Sequence, residues 1–130
     1  MSIERVNPAD LAPPSGFAHA VVGTGTFVFL AGQTALDREG RIAGEGVVEQ
    51  FELALSNLLA SLREAGGRPD QLASLTVYIV DMDDYREHAR EIGDVWRRLV
   101  GRDYPAMAGI GVARLWDSDA LVEVQGVAIL

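Results

Sequence analysis

The stretch Tyr104-Pro105-Ala106-Met107-Ala108-Gly109-Ile110-Gly111-Val112-Ala113-Arg114-Leu115 decides the fold. Proline fixes its own φ and holds the residue before it in extended geometry, so Tyr104-Pro105 leads into a strand. Gly109 and Gly111 sit where side chains would otherwise project. Two readings are open: a β-bulge in a tightly packed strand, or a surface that a ligand or another backbone approaches closely. The strand expected next, Leu121 to Leu130, carries a lone acid, Glu123, between Val122 and Val124.

Upstream, residues 46 to 65 have the clearest helical pattern. Val48, Phe51, Leu55, Leu58 and Leu62 recur at three- and four-residue spacing, and Gly66-Gly67 ends the run. Ser74 to Val80 is rich in β-branched and aromatic residues and reads as a central strand. Asp84-Tyr85-Arg86-Glu87 matches a capping box and predicts a second helix to about Val100. Near the start, Ala18–Val22 and Thr26–Ala31 are strand-like, and Gly23-Thr24-Gly25 between them predicts a hairpin. Residues 1 to 16 are polar and proline-punctuated, a loop with at most a short leading strand. Another short strand is expected around Arg41-Ile42-Ala43.

The order ββ(β)αβαββ predicts a single α+β domain over residues 1–130, with two helices on one face of a mixed sheet. The other face would be bare. It is expected to include some of Val22, Phe29, Val77, Ile79, Val112, Val122 and Val124, too apolar to stay wet. Self-association in a closed ring would cover it.

Composition excludes several functions. The formal charge is −8, and all eleven basic residues are arginine. So acidic a surface repels nucleic-acid backbones, and no basic cluster with interleaved aromatics offsets this. Without lysine there is no side-chain Schiff base, and without cysteine no thiol nucleophile, disulfide or thiolate metal site. No apolar run reaches membrane-span length and no signal pattern opens the chain, so the cytoplasm is the expected compartment.

The ionisable candidates are few. His19 and His88 are the only histidines; His88 reads as a helix-surface residue, and two histidines so placed make no zinc site. His19 shares a strand face with Phe17 and is either a hydrogen-bonded edge residue or a site residue. Glu123 is either a general acid/base on a buried strand, a group reaching the wet face, or the partner of an arginine such as Arg114. Asp81, Asp83 and Asp84 read as cap and turn residues rather than metal ligands. No phosphate-binding glycine loop or serine nucleophile elbow is present.

Taken in order, several segments resemble the Rid family, also called YjgF and often labelled endoribonuclease L-PSP. They are His19-Ala20-Val21-Val22, Val28-Phe29-Leu30-Ala31-Gly32-Gln33 with Leu36-Asp37, Gln50 through Leu62, and Val77 through Tyr85. Tyr104-Pro105-Ala106, Val112-Ala113-Arg114-Leu115 and Ala120-Leu121-Val122-Glu123-Val124 complete the set. The resemblance covers nearly the whole chain. It implies a chorismate-mutase-like fold, a homotrimer whose sheets line a central barrel, and small-molecule clefts between subunits, with no cofactor. It further implies hydrolysis of reactive imines or enamines to a keto compound and ammonia.

Residue by residue, Glu123 falls on the family's water-positioning glutamate and Gly32 on its cleft-lining strand end. Phe17 takes the place of a tyrosine, and His19 that of a glutamine. Met107, followed by Ala108 and Gly109, stands where an arginine clamps the substrate carboxylate. A thioether cannot pair a carboxylate as a guanidinium does, and losing that partner costs on the order of a few kcal/mol. The resemblance thus implies catalysis by Glu123 and His19 on a less charged substrate, walled by Phe17, Gly32, Met107, Ala108 and Gly109. A non-catalytic metabolite-binding trimer is the second reading, and a ribonuclease the remote third.

Overall fold

The computed structural model describes residues 3–130. Met1 and Ser2, the first residues of the expected leading loop, lie outside them. The elements in chain order are β1 (Ile3–Val6), β2 (Ala20–Gly23), β3 (Phe27–Gln33), α1 (Val47–Glu64), β4 (Leu72–Ile79), α2 (Met82–Glu87), α3 (Ala89–Leu99), β5 (Ala106–Gly111) and β6 (Val122–Ile129). One 3-10 turn, Pro69–Gln71, leads into β4.

The main sheet has the order β3-β6-β4-β5, with β4 and β5 parallel and the other pairs antiparallel. This is the expected α+β mixed sheet. α1 packs on β3 and β6 and against α3. Its stripe of Phe51, Ala54, Leu55, Leu58 and Leu62 is buried, as a 3.6-residue period facing a sheet requires. At its start the Gly46 N–H donates to the Glu49 carboxylate at 2.8 Å, relieving one of the orphan donors of the first turn.

The expected hairpin is not formed. β2 pairs with β1 in a separate two-stranded ribbon, while β3 pairs with β6. Thr26 and Leu130 exchange backbone hydrogen bonds of 3.0 and 2.8 Å, so long-range pairing overrides the local turn signal. Gly25 makes this possible at φ +141, because a Cβ there would collide with the Leu130 carbonyl. The ribbon folds over one end of the sheet, where Ile3 packs with Ala73 and Ile129. The segment expected around Arg41–Ala43 is reduced to an isolated bridge between Leu36 and Ile42.

The expected second helix is two helices. It begins earlier than the capping box suggests, because Asp81 caps it by accepting the Asp84 N–H at 3.0 Å. It breaks at His88 (φ −102, ψ 18) before resuming as α3.

The exposed sheet face also differs from expectation. Val77, Ile79, Val122 and Val124 all point toward the helices and are buried. Since side chains alternate across a strand, the opposite face carries Ser74, Thr76, Tyr78, Glu123 and Gln125. Phe29, 78% exposed, and Phe27 lie on that same face, so it is polar at its centre and apolar toward β3.

One buried polar side chain connects the layers. Gln50 of α1 is 2% exposed; its amide N–H groups donate to the carbonyls of Gly44 and Asp119, both at 3.1 Å. Its carbonyl oxygen accepts the Leu121 N–H at 2.8 Å. Every hydrogen-bonding direction used here ends on backbone, which is how a core tolerates a buried amide.

Candidate functional site

The candidate residues fall into two groups. The first lies along the β5 edge. Ala18 forms a parallel bridge with Ala106 and its N–H donates to the Pro105 carbonyl at 2.9 Å, which lays the Phe17–His19 segment beside the start of β5. Phe17, Met107, Ala108 and Gly109 then line a pocket of about 210 Å³ together with Gly16, Val77 and Tyr85. Met107 is paired with buried Leu75 across the parallel ladder and packs toward the helix side.

His19 joins this group through Phe17, its ring meeting the phenyl edge-on at 5.0 Å and 83°. Its Nε2 lies 2.8 Å from the Ala12 carbonyl oxygen and its backbone N–H donates to Asn7 Oδ1 at 2.9 Å. A carbonyl only accepts, so Nε2 bears a proton, and in the neutral ring Nδ1 is left as the acceptor. His19 is therefore a hydrogen-bonded edge residue that retains one basic nitrogen.

The second group is Glu123 with Gly32, on the open face between β3 and β6. The carboxylate rests directly over Gly32, and a Cβ at that position would collide with Oε2. Any side chain at this position would push the carboxylate out of its seat. Glu123 is half-buried opposite Tyr78, whose hydroxyl donates to Gln125 Oε1 at 3.0 Å. Among the described residues Glu123 enters no ion pair, and Arg114 is not its partner. Its oxygens remain available to accept from water or ligand.

Within one protomer the two groups do not meet. β4 separates β6 from β5, and Met107 faces the helices while Glu123 faces away from them. Among the described residues no set of three or more His, Asp or Glu converges on a common point that could hold a metal. No helix among them is long and apolar enough to cross a membrane.

Tyr85 lines the pocket, although in the sequence it stood only within a capping box and the family-like segment Val77 through Tyr85. It meets Phe51 edge-on at 6.3 Å, and burial pushes its hydroxyl up to about 12. It thus stays a phenol at physiological pH, able to donate. It reaches Met107 from α2, the short helix that ends before His88.

The sequence of residues 8–130 matches the family model described as Endoribonuclease L-PSP. A RutC family protein of Synechocystis is 35% identical over 100% of this chain and 98% of its own length. A Rid-family crystal structure from Yersinia pestis, of a protein of unknown function, superposes with a TM-score of 0.90 at 30% identity, covering both chains fully. The chain belongs to the Rid (YjgF, L-PSP) family, with the fold of that family. A Capra hircus relative named 2-iminobutanoate/2-iminopropanoate deaminase is 28% identical over 94% of this chain and 83% of its own.

Proposed function

We propose that the protein hydrolyses a reactive imine, enamine or related activated small metabolite in clefts between the subunits of a cytoplasmic homotrimer. The supporting observation is the carboxylate of Glu123 seated on Gly32, unpaired, half-exposed and on the face that self-association would cover. Because the Phe17–Met107 group is on the other side of the sheet, a cleft holding both groups requires two copies of the chain.

In this reading Glu123 accepts a proton from water as the oxygen attacks the imine carbon, giving a carbinolamine. That proton goes to the nitrogen to complete the carbinolamine. Glu123 then takes the hydroxyl proton and delivers it to the amine as the C–N bond breaks, so that a ketone or keto acid and ammonia leave. One acid/base group can serve both steps, a contribution of roughly 10²–10⁴-fold. His19 offers Nδ1 as a second acceptor at the polar end of the Phe17 pocket. Met107 leaves a substrate carboxylate without a guanidinium, which favours less charged substrates than 2-iminobutanoate or 2-iminopropanoate.

The test generates a panel of imines in situ, with and without a carboxylate, beside a competing nucleophilic trap. Carbonyl product is followed for wild type, Glu123→Gln and Gly32→Ala. We expect a loss of about 100-fold for Glu123→Gln and of about tenfold for Gly32→Ala, with assembly unchanged. Wild-type rates in both variants would remove Glu123 from the mechanism. Met107 also favours a second reading, a non-catalytic metabolite-binding trimer. Saturable binding with no turnover of any imine in the panel would move that reading ahead.

A further inference from the structure

Behind Met107 the structure opens a second recess, of about 330 Å³, between α3 and the start of β5. It joins the smaller Phe17 pocket through residues common to both, Gly16, Tyr85 and Met107. Its walls are aromatic: Trp96 and Tyr104 stack at 5.4 Å and 10° along one side, and Phe51 closes the back. The space exists because α3 presents Ala89 and Gly93, four residues apart and hence on the same helical face. Larger residues at those positions would project into it.

The one charged group lining the recess is already occupied. Arg97 pairs with Asp94 one turn back on α3, so it offers a rim rather than a free cation. The lining is otherwise uncharged and mostly apolar, with the guanidinium at its edge. Small-molecule pockets of about 300 Å³ and above, mostly apolar with a few polar groups, are of the size that holds a ligand's side chain.

We propose that this recess is the side-chain pocket of the cleft and takes an aromatic or branched apolar group, with Ala89 and Gly93 as the residues that set its size. This rests on the hydrolase reading above, in which a second copy of the chain brings its Glu123 to the cleft, and narrows its substrate class: a compound whose C=N group faces that carboxylate and whose apolar substituent lies behind Met107. The phenol of Tyr85 lines both pockets and is positioned to donate to a polar atom of a ligand that spans them.

The experiment is isothermal titration of the full-length protein in its native assembly with two neutral ketones resembling the hydrolysed product, benzylacetone and butanone. They share the carbonyl and differ by the aromatic group. Burying that group predicts binding at least about tenfold tighter for benzylacetone. Gly93→Leu should abolish the difference while leaving butanone binding in place. Its Cβ would meet only the guanidinium of Arg97, at 3.4 Å, the partly exposed end of a long side chain, so the helix itself accommodates the change. Ala89→Leu serves as the second variant should Gly93→Leu fail to fold.

Equal affinity for the two ketones in wild type, or a preference that survives both substitutions, overturns the proposal. Glu123→Gln separates the two readings. If it keeps the benzylacetone preference and loses turnover, both stand. A benzylacetone preference in a protein that hydrolyses no imine would leave the pocket assignment intact and sink the hydrolase. Hydrolysis without the preference would do the reverse.

Discussion

Ser74 and Leu75 are neighbours in β4, yet Leu75 is 1% exposed beneath the helices and Ser74 faces outward. The same alternation runs through β6, where Val122 and Val124 are buried and Glu123 between them is not. One pleated sheet thus presents two chemistries. The covered face is aliphatic and gains its stability from burial; the open face carries a serine, a threonine, a tyrosine, a glutamine and the candidate catalytic acid. A carboxylate can be kept on a central strand of the sheet because the pleat turns it away from the core.

The sharpest way to break this comparison is to truncate one residue on each face. Leu75→Ala should lower the free energy of unfolding by about 2–5 kcal/mol, the range for a fully buried leucine. Ser74→Ala, one residue away, should stay within about 0.5 kcal/mol. Urea unfolding of the two variants at equal subunit concentration measures both. Similar losses would mean that the faces are not energetically distinct.

Phe29 tests the apolar margin of the open face. With Phe27 it forms an edge-to-face pair at 6.4 Å whose rings are largely solvent-exposed in the single chain. Phe29→Ser should shift sedimentation from the proposed trimer toward smaller species while leaving the far-ultraviolet circular dichroism unchanged. A wild-type chain that already sediments as a monomer would end the argument that this face is an assembly surface.

The smallest expected effect concerns neither face but the joint between α2 and α3. His88 Nδ1–H donates to the Asp84 carbonyl at 2.9 Å and lies 3.3 Å from the Asp84 carboxylate. The backbone hydrogen bond first, and the charges of Asp84, Glu91 and Glu87 after it, raise the His88 pKa above 6.5. A pKa raised by folding means that the contribution is fully present below the unfolded value and fades as pH rises through the folded one. The melting temperature of His88→Gln should therefore fall below wild type at about pH 5.5, and the gap should narrow by about pH 9. A gap that widens with pH would reverse the assignment.

The sequence carried the element order well, because each element advertises itself locally. The α1 stripe from Phe51 to Leu62 and the proline at the head of β5 are signals contained in a dozen residues. It failed where a distant partner decides. Gly23-Thr24-Gly25 looks like a hairpin until β6 claims β3, and valines at 77, 122 and 124 look the same whichever face they take. The stripe Tyr85, Ala89, Ile92, Trp96 runs unbroken through His88, so the joint there is invisible to periodicity. At the candidate site, Glu123 stood out as a lone acid among valines. That it sits on Gly32 was not legible, since the two belong to strands separated by most of the chain.

Gln50 has one more consequence. By holding Leu121 it fixes the last residue before β6, while Val112 at the far end of the same loop donates to the Ile79 carbonyl at 2.9 Å. Between those fastenings Trp116 stands 93% exposed. Backbone held by Gln50 at Asp119 and Leu121 thus lies between the exposed indole and Glu123, two residues beyond the fastening. One amide side chain stands between the solvent-facing rim and the acid.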